Sequence, residues 1–173
     1  MLDFTNDTLD IGNLPKYEET PLNAVSKKYW KVVVLNLMIF LLLLATGLLA
    51  VLYFSAASRP YIYVMALGYI VLAIVLYLLY KTDIGRRGYA IREKDILYRS
   101  GIIAISTTII PFSRIQHIAL DEGMFSRIYG LGQLRIFTAG GSSGSLHIPG
   151  IEIEQARQIR EILMKQINTA DNG

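Results

Sequence analysis

The residues of this chain whose types could do chemistry fall into three small sets. Gly140-Gly141-Ser142-Ser143-Gly144 contains the pattern G-x-S-x-G, in which a serine nucleophile stands on a turn from a strand into a helix. His117 and His147 are the two histidines, and Asp121 and Glu122 are adjacent carboxylates. Serine, histidine and carboxylate are the residue types of nucleophilic and general acid–base catalysis.

The spacing of these residues argues against catalysis and against a metal site. A nucleophile elbow needs a helix after the serine and then an acid and a histidine, but a short strand candidate follows Gly144 and contains His147. Neither histidine has a second ligand at short spacing, and adjacent acids on a strand point to opposite faces. The chain has no cysteine, which excludes disulfides and thiolate ligands. We therefore predict a protein that is not an enzyme, with no catalytic residue, metal or cofactor.

Positive charges and glycines are the candidates for binding. Bases and one tryptophan that flank the apolar segments are predicted to contact the membrane surface: Lys27, Lys28, Trp30, Lys31, Lys81, Arg86 and Arg87. A base close to anionic lipid contributes about 1 kcal/mol of binding, so the cluster either fixes topology or forms a lipid headgroup site. A contact with a partner or an anion is predicted for Arg114, Arg127, Gly140 and Gly141. The arginines supply positive charge, and glycine-rich turns present backbone N–H groups to phosphates. The two arginines have a structural alternative, which is to bind loop carbonyls or to pair with Asp121 or Glu122.

Two long apolar segments determine where these residues lie. Val32–Phe54 and Tyr61–Tyr80 contain no charged residue, and the six-residue link 55–60 separates them. A helix of about 20 residues crosses a hydrocarbon layer of about 30 Å, and a soluble helix rarely stays apolar on all faces for this length. We predict a transmembrane hairpin that acts as an anchor, with Asn36, Thr46, Gly47 and Gly68 as candidates for helix–helix contacts.

The charges around the hairpin predict its orientation. Bases cluster before the first helix and after the second, whereas the link between the helices has the single base Arg59. The positive-inside bias then places both termini in the cytoplasm of a multi-pass protein of the cell inner membrane. Neither apolar segment contains Asp, Glu, Lys, Arg or His, which argues against a transporter or channel acting alone. The net charge of +3 is too small to indicate nucleic-acid binding.

The rest of the chain divides around this hairpin. Residues 1–26 are acidic and contain two prolines, so we expect a flexible tail. The hairpin would occupy 27–81, and a cytoplasmic domain 82–170. Short runs rich in β-branched residues predict six to seven strands between Gly88 and Ile148, the last of which stops at Pro149. Residues 151–168 have apolar residues at helical spacing on one stripe: Ala156, Ile159, Leu163 and Ile167. Strands closed by one amphipathic helix indicate an α+β domain.

Several motifs of this domain are specific enough to indicate a family. They begin with Gly88-Tyr89, Ile91 and Gly101, followed by the segment from Ile110 to Ile118 and by Gly123-x-x-x-Arg127-x-x-Gly130-Leu131. Thr138-Ala139-Gly140-Gly141 and then Pro149-Gly150-Ile151 with Ala156 complete the set. Together these motifs resemble the bacterial pleckstrin-homology membrane proteins of the YdbS-like type, formerly a domain of unknown function, with their segment IP-x-x-RIQ-x-V, connection G-x-x-x-R-x-x-G-L, T-A-G turn and start of a closing helix. The resemblance covers roughly residues 25–168, including the two apolar segments.

The resemblance implies a pleckstrin-homology (PH)-like antiparallel half-barrel capped by a C-terminal helix, and it brings no catalytic residue. The fold alone does not define a function. We expect a membrane-anchored scaffold or subunit of a membrane assembly, whose partners are the lipid bilayer and either another membrane protein or a second copy of this chain. The alternative is a sensor of lipid headgroups or anions at the cytoplasmic membrane surface, with anionic lipid as the ligand.

Overall fold

Two long apolar helices precede the rest of the fold. The computed structural model describes residues 20–138 and 145–171. Helix α1 spans Tyr29–Phe54 and helix α2 spans Ile62–Arg86, joined by a 3-10 helix at Ala56–Tyr61. Both helices are long and apolar enough to cross a membrane, and within their most apolar windows only 11% of α1 and none of α2 is buried in the protein. The core helix of a water-soluble protein would be buried, so this exposure fits the predicted transmembrane hairpin.

Contacts between α1 and α2 show that they run antiparallel. Trp30 at the start of α1 meets Tyr77 near the end of α2 edge to face, with ring centroids 5.3 Å apart. In the middle of the hairpin, the Tyr69 hydroxyl donates a hydrogen bond to the Leu41 carbonyl at 3.1 Å. The two ends of the hairpin therefore lie side by side, and the remainder of the chain begins next to the start of α1.

The small and polar residues predicted for helix–helix contact do not make one inside the hairpin. A Cβ atom on Gly47 or Gly68 would meet nothing within 4 Å. Asn36 donates to the carbonyl of Val32 at 3.0 Å and Thr46 to that of Leu43 at 2.8 Å, both within α1. This prediction was wrong for the packing of α1 on α2, where the contacts are made by large side chains such as Trp30 on Tyr77 and Tyr69 on the Leu41 carbonyl.

Four antiparallel strands form the first sheet. Strand β1 is Asn23–Ala24, β2 is Gly88–Ile91, β3 is Asp95–Ser100 and β4 is Ser106–Pro111, in the order β1-β2-β3-β4. The pairing of β1 with β2 corrects the predicted boundary of the acidic tail, whose last residues join this sheet. Two residues are too short for a strand signal in the sequence, and β1 forms because β2 supplies a paired edge.

Three antiparallel strands form the second sheet, and a helix covers it. Strand β5 is Ile115–Asp121, β6 is Leu131–Thr138 and β7 is Ser145–Glu152, in the order β5-β6-β7. A 3-10 helix at Phe112–Arg114 leads from the first sheet into the second. The last helix, α4, spans Ile153–Asp171. The two sheets do not close into a barrel. This open arrangement agrees with the predicted PH-like half-barrel.

One local prediction in the second sheet was wrong. Strand β7 continues through Pro149 and Gly150 to Glu152, because these two residues lie at a shift of register against β6 on an edge strand, where proline is tolerated. Gly150 has φ +74°, which glycine adopts without strain. The connection that starts at Gly123 contains a short helix, α3, at Met124–Ile128. A single helical turn leaves no periodic signal in a sequence.

The core lies between the two sheets and α4. The predicted stripe of α4 faces it: Ala156, Ile159 and Leu163 are buried, and Ile167 packs at its margin. Side chains from the six strands β2 to β7 fill the other side, among them Ile96, Ile110, Leu134, Ile136 and Ile148. Helix α4 thus covers apolar surface that the open sheets would expose to water, which explains why a half-barrel needs its closing helix.

Truncation of the α4 stripe should destabilise the domain. We expect Leu163→Ala, at a fully buried position, to lower the free energy of unfolding by about 2–5 kcal/mol, because it removes apolar contacts and leaves a cavity. The matched control is Ile162→Ala, one residue earlier and half exposed, which should cost less than about 1 kcal/mol. Thermal unfolding in detergent micelles measures both, and equal losses would contradict the assigned face of α4.

Candidate functional site at the membrane junction

A buried ion pair joins the hairpin to the sheets. Asp83 lies in the last turn of α2 and is 7% exposed, and Arg87 is the residue that ends this helix. The guanidinium Nε donates to the Asp83 Oδ2 at 3.0 Å, and the Nη2 group donates to the same oxygen. The pair spans one helical turn. It therefore forms where the chain leaves α2 and enters β2.

Two tyrosines of different elements surround this pair. The charge of Arg87 interacts with both Tyr29, the first residue of α1, and Tyr98, in β3. Partial burial lowers the pKa of Arg87, but the hydrogen bond that it donates to Asp83 and the nearby Tyr98 outweigh burial, so the net pKa is raised. Arg87 therefore stays charged and links four parts of the chain: α1, α2, β2 and β3.

The segment that leads into α1 is fastened to β7. The backbone N–H of Ser26 donates to the Gly150 carbonyl at 2.8 Å, and Lys28 Nζ lies 3.1 Å from the Glu152 carboxylate. Gly150 packs on the ring of Tyr29, where a Cβ atom would lie 2.6 Å from Cγ. Glycine is required at this position both by the positive φ and by the close approach of the ring. The hairpin is therefore held to the domain at α1 as well as at α2.

The residues predicted to contact the membrane surface lie together around this junction, but they divide by their partners. Lys27, Lys31 and Lys81 are exposed and, within the described part of the chain, have no ion pair. Lys28 pairs with Glu152, and Trp30 packs on Tyr77. Arg86 donates to the carbonyl of Ile102, and Arg87 is committed to Asp83. Of these residues, the three lysines have no ion-pair partner among the described residues.

The residues predicted to bind a partner or an anion are not brought together. Arg114 lies in the 3-10 helix before β5 and Arg127 in α3, and both are exposed. The expected pairing of either arginine with Asp121 is absent from the described residues, since Asp121 pairs across the sheet with Arg135. Gly140 and Gly141 lie outside the described residues.

The histidines have structural contacts. The ring of His117 stacks on Phe137 with centroids 4.1 Å apart, and His147 bonds to Gln133 at 2.9 Å and Ser145 at 3.2 Å. Across residues 20–138 and 145–171, no three His, Asp or Glu side chains form a metal-binding group. Both histidines therefore contact side chains of the second sheet, His117 from β5 and His147 from β7.

Sequence reasoning missed Asp83, Tyr29 and Tyr98 as members of the junction. One signal was present: Asp83 precedes Arg87 by four residues at the end of an apolar helix, which is ion-pair spacing. The tyrosines gave no such signal, because their proximity depends on how α1 and β3 fold back onto α2.

An antiparallel half-barrel capped by a helix and fixed to a two-helix membrane hairpin defines a membrane-anchored protein of the PH-like class. Comparison with known proteins agrees: the family model described as "Bacterial PH domain" matches residues 22–167. The chain therefore belongs to the bacterial PH domain family. It is 29% identical over 85 residues to the UPF0699 transmembrane protein YdbS of Bacillus subtilis (strain 168).

That alignment covers 49% of this chain and 51% of the relative, so the match spans about half of each protein. No solved structure matches the chain. These similarities confirm the YdbS-like resemblance that the motifs indicated, and they support a membrane protein.

Breaking the junction pair should be costly. We expect Asp83→Ala to lower the free energy of unfolding by about 3 kcal/mol, because it leaves the Arg87 charge largely buried without its partner. The matched control is Glu152→Ala, which breaks the exposed pair with Lys28 and should cost about 1 kcal/mol or less. Thermal unfolding of Asp83→Ala, Arg87→Ala and the double variant gives the coupling energy of the pair, and Glu152→Ala is measured beside them. A double variant that loses the full sum of the two single losses would contradict a direct interaction.

The junction should also make stability depend on alkaline pH. Burial is the main cause that raises the pKa of Tyr98 above its usual 10.0; the charge of Arg87 opposes it and that of Asp83 adds to it. The folded chain then holds the Tyr98 proton more tightly than the unfolded chain. The contribution of Tyr98 to the free energy of unfolding is therefore complete below pH 10.0, and it is lost as the pH rises through the folded-state pKa.

We expect the melting temperature of the wild type to fall more steeply above about pH 10 than that of Tyr98→Phe, which has no titrating hydroxyl. Melting curves at a series of pH values from about 8 to 11 measure the difference. Parallel curves for the two proteins would show that Tyr98 does not contribute.

Proposed function

We propose that this protein is a non-enzymatic, membrane-anchored PH-like domain that acts as a scaffold or subunit of a membrane-associated protein assembly. In this proposal the hairpin is a multi-pass anchor in the cell inner membrane, and both termini and the domain lie in the cytoplasm. The excess of bases beside the domain over the hairpin tip supports that orientation. The junction holds the domain in one orientation at the membrane surface, which suits a subunit that must present a fixed face.

The observation that carries the proposal is the open edge of β4. This strand is the last of its sheet, and within the described residues no strand pairs with its outer side. Natural proteins blunt exposed edges with charges, bulges or very short strands. Strand β4 has six residues, Ser-Thr-Thr-Ile-Ile-Pro, none of them charged, and Ile109 on it is 39% exposed. Such an edge accepts an extended segment of a partner by strand addition.

The hairpin offers a second contact for a membrane partner. A groove of about 530 Å³ lies between α1 and α2 and is lined by apolar side chains and Asn36. The side-chain amide of Asn36 donates one hydrogen bond to the Val32 carbonyl of its own helix. In hydrocarbon, its remaining polar atoms favour a hydrogen-bond partner across a helix interface. This supports association with another membrane protein or with a second copy of this chain.

The second candidate function is recognition of anionic lipid headgroups. Lys27, Lys31 and Lys81 favour it, since all three are exposed at the membrane end of the domain. In the first candidate these lysines serve only to orient the hairpin, so the lipid that co-purifies with the protein separates the two functions.

Purification from native membranes tests the proposal. We expect a stoichiometric partner or a homo-oligomer to co-purify with the wild type, and Ile109→Lys to lose most of it, because a lysine at the edge opposes strand addition. The matched control is Gln158→Lys on the exposed side of α4, which should retain the partner. A monomer that carries no protein would overturn the scaffold proposal.

The same preparations test the second candidate. If enrichment of anionic lipid is lost when Lys27, Lys31 and Lys81 are replaced by glutamine, and no protein co-purifies, the lipid function is favoured instead. Melting temperatures of all variants should stay close to that of the wild type, which excludes loss of folding as the cause.

A further inference from the structure

The turn between β3 and β4 exposes apolar side chains at its tip. It spans residues 101–105, Gly-Ile-Ile-Ala-Ile, which contain no polar side chain. Ile103 is 94% exposed and Ile105 is 47% exposed. Turns at a water interface are usually polar, so isoleucines at this degree of exposure indicate contact with an apolar phase or an apolar partner.

A glycine fixes the shape of this turn. Gly101 has φ +129°, and a Cβ atom there would lie 2.0 Å from the carbonyl oxygen of Ala104. The chain therefore folds back tightly on itself directly after β3. The isoleucines project from a defined turn rather than from a long loop that could fold over them.

A contact with α2 sets the depth of the turn. The guanidinium of Arg86 donates to the carbonyl of Ile102. Arg86 stands six positions after Tyr80, about 9 Å along the helix from the end of the charge-free segment. Side chains on a helix lean toward its N-terminus, which for α2 is the direction of the membrane, so the guanidinium and the turn lie closer to the bilayer than the Arg86 backbone does.

A second apolar surface stands beside α1. Helix α3 contacts α1, and its Met124 and Ile128 are 78% and 71% exposed. These residues are four positions apart and therefore share one face of the helical turn. Two elements from different sheets thus carry exposed large apolar side chains, and each touches one of the two membrane helices.

We propose that the turn 101–105 and helix α3 insert into the interfacial layer of the bilayer that the hairpin spans, so that the domain rests on the membrane at two points besides its anchor. The occupant of both apolar surfaces is lipid, in the layer of headgroups and first methylenes. Lipid is the occupant because the turn contacts α2 and α3 contacts α1, and both of these helices lie in that bilayer.

Arg86 and Arg127 accompany these surfaces, one at each point. Isoleucine and methionine beside a base is the residue pattern of an interfacial anchor, in which apolar side chains enter the acyl boundary and the base remains at the phosphates. The proposal does not depend on the scaffold function, because it needs only lipid.

The absence of cysteine makes a direct test available in the full chain. Single variants Ile103→Cys, Ile128→Cys and Gln158→Cys carry an environment-sensitive fluorophore, and each protein is reconstituted into vesicles of purified phosphatidylcholine and phosphatidylglycerol. All three positions are exposed, so the labelled proteins should fold. Lipids brominated near the headgroup serve as quenchers of shallow probes.

We expect quenching at 103 and 128 to be at least about threefold greater than at 158, with blue-shifted emission at both positions. Detergent micelles without brominated lipid provide the reference intensity. Quenching at 103 or 128 that equals the value at 158 would overturn the two-point contact. Protection of either probe only in native membranes, and not in pure lipid, would assign that surface to a protein and would equally overturn the proposal.

A second pair of variants tests the same contact without labels. Ile103→Asp in the full chain should increase cleavage by added protease within the neighbouring strands when the protein is in vesicles, because a carboxylate is expelled from the interface. Thr108→Asp, at an exposed position of β4, is the control and should leave the cleavage pattern unchanged. Equal cleavage of the two variants would count against insertion of the turn.

Discussion

Burial of a charge at the end of a membrane helix is the constraint on which this structure depends. Asp83 is almost completely removed from solvent, and a carboxylate in that position must have a partner. Arg87 supplies it from the first position after the helix, so the chain can leave α2 only in a direction that keeps the two groups in contact. Strand β2 starts at the next residue, and the position of the first sheet follows from that direction.

The other end of the hairpin is fixed by different forces. Gly150 receives the ring of Tyr29, and the chain before it adds a short strand to β2. Backbone hydrogen bonds and close packing, rather than charge, therefore hold α1 to the domain. Attachment at both helices distinguishes this arrangement from a domain on a flexible tether, because two contacts restrict how the domain can turn relative to the hairpin.

The pattern of the sequence was sufficient for elements that have a long period or a uniform composition. The hairpin follows from two charge-free segments, and α4 from a stripe whose Ala156, Ile159 and Leu163 are buried as predicted. The motifs around Ile110-Pro111 and Gly123 were enough to indicate the PH-like class. Elements of one turn or two residues, such as α3 and β1, have no period of their own, and they form because a neighbouring element offers a hydrogen-bonding edge or a surface.

The candidate site was predicted in part. The bases around the hairpin do lie together at its junction with the domain, but their residue types alone do not distinguish Arg87 from Lys27. In the structure, Arg87 pairs with the buried Asp83, whereas Lys27 is exposed. Likewise, Ile103 lies in a run rich in β-branched residues, a composition typical of a strand. In the structure, Gly101 with its positive φ and the hydrogen bond from Arg86 to Ile102 form a turn there, and the isoleucines point outward beside α2.

The sequence by itself determined that this protein has a membrane anchor and a capped antiparallel domain, because hydrophobicity and its period are local properties of the chain. Only the tertiary structure decided which charged side chains pair with one another inside the molecule and which apolar side chains are exposed on its surface. Those outcomes depend on contacts between residues far apart in the chain, such as Tyr29 with Gly150 and Arg86 with Ile102, for which no local pattern exists.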